Sequence, residues 1–238
     1  MTFNLPDIWR GLSAGQPTQL LVAAGHGRSY GMPNTVMGRT LPSLLECSLW
    51  ETLKDFELNS RMSALITDIG NDLLYGAEPP TIAGWVAEAV DRLIELGCRP
   101  TLTLLPLGSL QKLSRWRFHF FRQILFPASR LTFEDAMSFS GELNERVAEL
   151  ASTRELSVLK PSADWYGLDP IHFRRRIRAS AWTTYLSALD ETARAEECSP
   201  FRAARIWKYK AAVRLRGGKR LETPQPVLDH AGSRLWLF

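Results

Sequence analysis

Short apolar runs alternate with segments of helical period along this chain, and that alternation restricts the fold more than any other feature. QLLVAA (19–24), SALITDI (63–69), TLTLLPL (101–107) and LSVLK (156–160) have the length and apolar content of strands buried on both faces, and a weaker candidate covers Leu44–Leu49. Between them, PTIAGWVAEAVDRLIELG (80–97) repeats its apolar residues at helical spacing and ends on Gly97, a suitable C-terminal cap. SLQKLSRWRFHFFRQILFP (109–127) and TFEDAMSFSGELNERVAELASTRE (132–155) predict two more helices. Asp169 to Ala195 opens as a turn and continues as a helix. Strands separated by helices need crossover connections, which make the sheet parallel. The expected fold is therefore α/β: a three-layer α/β/α sandwich with a flavodoxin-like parallel sheet.

With 238 residues the chain suffices for one such domain, expected over residues 1–195. The break around Glu196–Ser199 and Pro200 marks a basic C-terminal extension, 196–238. It reads as a helix followed by turns and short strands around Gly217–Gly218 and Asp229–His230.

Charge is distributed unevenly. No acid lies between Leu96 and Phe133 or between Ser199 and Arg220, while both blocks are rich in Arg and Lys. Such blocks suit an anionic partner, above all at the tail, although no nucleic-acid motif accompanies them. Cys47, Cys98 and Cys198 are scattered, without a CxxC pair, which argues against a disulfide framework or a structural zinc. No run is long enough for a signal peptide or a transmembrane segment, so a cytoplasmic location is expected.

Three blocks follow expected strand ends, where open α/β sheets place their sites. They are GHGRSYG (25–31), ITDIGNDLLYG (66–76) and WYGLDPIHF (165–173). In order and spacing they resemble the SGNH, or GDSL-like, hydrolases over roughly residues 19–190. The resemblance implies an ester or acyl hydrolase acting on a small-molecule substrate, with no metal and no organic cofactor. Asn71 and Asp72 match the family's Gly-x-Asn-Asp-like block, and Asp169 with His172 matches its Asp-x-x-His block. The implied roles are Ser29 as nucleophile, His172 as general base, Asp169 as the carboxylate that orients it, and Asn71 as oxyanion donor. Such a donor is typically worth about 3 kcal/mol of transition-state stabilisation.

The first block departs from the family pattern, and two placements stand. Aligned without gaps between Gly25 and Gly31, Gly27 occupies the nucleophile position and His26 replaces the family's aspartate. The domain is then a catalytically inactive module that binds a ligand or partner. With the turn lengthened by two residues, Ser29 is the nucleophile. His26 and Gly27 then become candidate substrate contacts. The family's second block carries a glycine whose N–H helps bind the oxyanion. Here ECSLWETL (46–53) offers the N–H of Ser48 instead. Ile69 stands where the third block usually has its first glycine. His119, His230 and Cys47 are read as structural.

Overall fold

The computed structural model describes residues 4–25, 27–36, 38–56, 62–167 and 172–238. In chain order the elements begin with α1 (Leu5–Ser13), β1 (Gln19–Val22), β2 (Asn34–Val36), β3 (Arg39–Leu41) and α2 (Leu49–Asp55). Next come β4 (Leu65–Ile66), α3 (Asn71–Leu74), α4 (Pro79–Glu95), β5 (Thr101–Thr103), α5 (Leu107–Leu110), α6 (Arg115–Leu125), α7 (Phe133–Thr153) and β6 (Val158–Leu159). The last are α8 (Arg178–Ser187), α9 (Pro200–Trp207), β7 (Val213–Arg216), β8 (Lys219–Glu222), β9 (Leu228–His230) and β10 (Ser233–Leu237). The chain is mixed α/β and divides into two compact units, Arg61–Ile177 and the combination of Met1–Ser60 with Arg178–Phe238.

The central unit carries a parallel sheet in the order β4-β5-β6, built from three of the four main strand candidates, while the 19–24 run becomes β1 of a separate sheet. Leu65 and Ile66 pair with Thr101 and Leu102, and Leu102 and Thr103 pair with Val158 and Leu159. Every residue of β5 is buried, as a middle strand covered on both faces requires. Helix α4 crosses between the first two strands and buries Ile82, Val86 and Val90. It packs against α7, which buries Leu143 and Val147. Gly97 ends α4 as expected, with its N–H donating to Ile94 O at 2.8 Å and that of Cys98 to Leu93 O at 2.9 Å. Thr132 caps α7 by accepting the Asp135 N–H at 3.0 Å.

One polar residue on the buried face of α7 is structural. Asn144 accepts the Leu105 N–H at 2.7 Å and donates to Leu105 O at 3.1 Å, pairing with the chain just beyond β5 as another strand would. The 101–107 run therefore splits: Thr101–Thr103 is strand and Leu107 begins α5. Likewise the 109–127 segment breaks at Gln111–Ser114 before α6 starts.

In the outer unit β1 pairs in parallel with β10, which pairs antiparallel with β9. A second sheet runs β2-β3-β7-β8. Gly217 and Gly218, both at positive φ, form the two-residue turn of the β7–β8 hairpin. Leu5, Trp9, Val22, Ile206 and Leu235 form one apolar cluster, so α1, β1, α9 and β10 share a core. Asp7 is fully buried. One carboxylate oxygen accepts the Cys198 N–H at 2.8 Å and the other accepts from the Arg178 guanidinium. The 44–49 candidate is a turn leading into α2, not a strand. Ser43 Oγ accepts the Glu46 N–H, and the Cys47 thiol and Trp50 Nε1 both donate to Leu44 O, which favours turn geometry over a ladder. No helix among the described residues is long and apolar enough to cross a membrane.

Two stability predictions follow from the central unit. Asn144→Ala strands the buried Leu105 N–H, while Leu105 O keeps the Leu107 N–H, and chemical denaturation is expected to show a loss of about 1–3 kcal/mol. Arg154, at the end of α7, grips Asp91 of α4 through Nε–Oδ1 at 2.6 Å and Nη2–Oδ2 at 2.9 Å. The guanidinium holds the Asp91 carboxyl below its ordinary 3.8. A carboxylate lowered on folding stabilises above its unfolded pKa and loses that contribution as pH falls through the folded value. Because Asp91 is half exposed, Asp91→Asn should cost no more than about 1 kcal/mol at pH 7. Denaturation midpoints of variant and wild type should converge as the pH drops below the carboxylate range.

Candidate active site

The loop after β1 is built from buried polar groups. Gly27 sits at φ 56° in a turn closed by the Arg28 N–H donating to Gly25 O. Arg28, Ser29 and Tyr30 are all buried, and Ser29 has no solvent exposure. The Ser29 and Tyr30 carbonyls accept the N–H groups of Leu44 and Leu45 at 3.0 and 3.1 Å, which ties the loop to the turn before α2. Ser29 Oγ accepts the Met32 N–H at 2.9 Å. The Arg28 guanidinium donates to the main-chain oxygens of Phe238 and Ser43. Burial lowers its pKa, an effect partly opposed by the Cys47 thiol beside it. Burial likewise pushes the Cys47 thiol up, so this cysteine is held as the neutral thiol.

Ser48, the candidate for the second block, is the N-cap residue of α2. Its carbonyl accepts both the N–H and the hydroxyl of Thr52, at 3.1 and 3.0 Å. His26 lies outside the described residues. Gly27, Ser29 and Ser48 thus belong to the outer unit.

Asn71 and His172 belong to the central unit. Asn71 is the first residue of α3, just beyond the carboxyl end of β4, and its N–H donates to Asp68 O. Asp68 adopts φ 59°, a strained conformation for a residue with a side chain, at the bend where the chain leaves the sheet. Two residues on, Gly70 sits close to the Leu105 side chain, which would have to shift to admit a Cβ. A Cβ there would lie 2.6 Å from Leu105 Cδ2, and the Leu105 backbone is itself held by Asn144. Asp72, the next residue of the block, is fully buried.

His172 is exposed, in the segment that follows β6. The base of its loop is pinned by an antiparallel bridge between Tyr166 and Phe173 and by the Arg174 N–H donating to Trp165 O at 2.8 Å. The Trp165 ring meets Phe173 edge-on at 5.7 Å, and the Tyr166 ring meets it at a tilt at 5.3 Å. From α6, Arg117 donates to Gly167 O. Asp169 lies outside the described residues.

Asn71 therefore follows the end of β4 directly, while His172 comes thirteen residues after β6 in the chain, past the Ala163–Trp165 turn. Sequence reasoning missed Arg28, Asp68 and Asn144, which shape these segments. For Asn144 the signal was legible: an amide flanked by Leu143 and Val147 on an apolar helix face demands a buried partner.

Gly70→Ala is expected to destabilise the protein by about 1–3 kcal/mol through the clash with Leu105. Chemical denaturation of a double-mutant cycle with Leu105→Ala should recover most of that loss, because the truncated side chain frees the space.

Comparison with family models, curated proteins and solved structures yields no match to this chain.

Proposed function

We propose that the chain is an SGNH-like hydrolase with a three-layer α/β/α architecture, acting on an ester or acyl group of a small molecule. The observation that carries this reading is that Asn71 and the His172 segment follow, along the chain, two parallel strands of one sheet. In this mechanism Ser29 Oγ attacks the carbonyl carbon while its proton passes to His172, oriented by Asp169. The Asn71 amide and the N–H of Gly27 or Ser48 donate to the oxyanion. Collapse of the tetrahedral intermediate expels the alcohol, which takes the proton from His172. Water then hydrolyses the acyl-serine by the same route. His26 is assigned to substrate contact. A cytoplasmic setting and an anionic partner at the basic segment 199–220 belong to the same proposal.

One observation favours a second reading. Ser29 has no solvent exposure and its hydroxyl serves the Met32 N–H, as a turn hydroxyl does. In that reading Gly27 occupies the nucleophile position and the domain binds a ligand without turning it over.

A fluorophosphonate probe separates the two. The hydrolase reading expects covalent label on Ser29, located by mass spectrometry of the modified peptide, and its loss in His172→Ala. No label on folded protein, under conditions where a control serine esterase reacts, would overturn it.

A further inference from the structure

Helix α6 is apolar on the wrong side for a helix that faces only water. Its inward residue Phe118 is buried and meets the Phe133 ring at 5.7 Å. On the opposite face Trp116, Phe120 and Ile124 follow one another at four-residue spacing, with exposures of 71%, 53% and 60%. Residues four apart lie on one stripe of a helix, so the three side chains form a continuous apolar ridge. Together they leave on the order of 400 Å² of apolar side chain in solvent, the size of patch that marks an interaction surface.

We infer that this ridge docks the protein on an anionic phospholipid surface, with α6 lying in the interface. Charge complementarity selects this occupant. The whole segment from Leu96 to Phe133 lacks an acid, while α6 contributes Arg115, Arg117 and Arg122. Exposed Lys112 and Arg130 lie on either side of the helix and form no ion pair among the described residues. Among the described residues Glu134 lies 2.6 Å from Arg115, with both side chains exposed, and Arg117 donates to Gly167 O. Arg122 holds the following loop by donating to the carbonyls of Ser129 and Leu131. An exposed aromatic ridge on a segment whose exposed charges include Lys112, Arg115 and Arg130 matches the interfacial mode, in which Trp and Phe enter the headgroup boundary and Arg or Lys meets lipid phosphates.

A second copy of this chain fits the ridge poorly. It would set the same arginines against each other, and the ridge offers about half of the roughly 800 Å² per partner that a stable interface buries. The inference does not rest on the hydrolase reading, because α6 supplies none of the groups named in that mechanism.

Flotation of the full chain with vesicles tests it, using phosphatidylcholine alone and phosphatidylcholine containing one third phosphatidylglycerol. The wild type is expected to float with the anionic vesicles at least about tenfold more than with the neutral ones, and to be released by high salt. The triple variant W116S/F120S/I124S should lose at least about tenfold of that binding with unchanged circular dichroism. A single Phe120→Leu exchange, which keeps the ridge apolar, should retain it. Absence of flotation by the folded wild type, or equal flotation by the triple variant, would overturn the inference. So would a dimer in sedimentation equilibrium that the triple variant abolishes.

Discussion

The outer unit depends on one pairing: β1, near the beginning of the chain, lies parallel to β10, near its end. The entropy of closing so long a loop grows only slowly with length, but it must be met before any contact across the pair contributes. The apolar cluster around Leu235 supplies the main compensation, joining α1, β1, α9 and β10. Two buried charges then fix the geometry. Asp7 ties α1 to α8 and to the chain at Cys198, and Arg28 ties the loop after β1 to Phe238 and Ser43. Removing one partner from either network would leave a charge or dipole stranded in low dielectric, where it is most expensive. These contacts therefore specify one arrangement as much as they stabilise it.

The central unit is assembled differently. Its strands and helices follow one another in sequence, with β4 beside β5, β5 beside β6, and the crossover helices α4 and α7 packed on each other. What sets it apart is the tension at the carboxyl end of its sheet. Asp68 holds an unfavourable backbone angle, Gly70 accepts the side chain of Leu105, and Asn144 clamps the backbone of that same leucine. Strain retained in one place, and stabilised by its neighbours, is how a fold presents a chosen residue rigidly.

Much of this was legible in the sequence. Periodicity located α4 and α7, Gly97 marked the end of α4, and the parallel sheet followed from strands separated by crossover helices. The helix and hairpin strands after Pro200 were likewise signalled by their punctuation. The partner of β1 was not legible, because an apolar run records that a strand is buried but not which strand it meets. The 44–49 run misled because local side-chain bonds from Ser43, Cys47 and Trp50 outweighed its apolar content. For the site, Asn71 could be placed in a turn after a strand from its Gly-Asn-Asp setting, but not at the start of α3. His26 and Asp169 lie outside the described residues. Arg28 was invisible as a core residue, since a lone arginine reads as solvated until its acceptors are known.

Ser29 joins these threads. Its carbonyl holds the turn before α2, and its hydroxyl accepts an N–H three residues on. A serine so embedded is part of the loop's architecture whatever else it does, and that role alone explains a hydroxyl at this position. Nucleophilic use adds a further requirement. With no solvent exposure, Ser29 Oγ meets a carbonyl carbon only after a covering group moves aside, so turnover would include an opening step. Under that mechanism the covalent step waits on the population of the open state, and a reagent reacts at a rate set by opening as well as by intrinsic nucleophilicity. An inactive module has no such requirement, and its buried serine stays closed. The hydrolase and the binding module are thus separated less by which residues are present than by whether this loop opens.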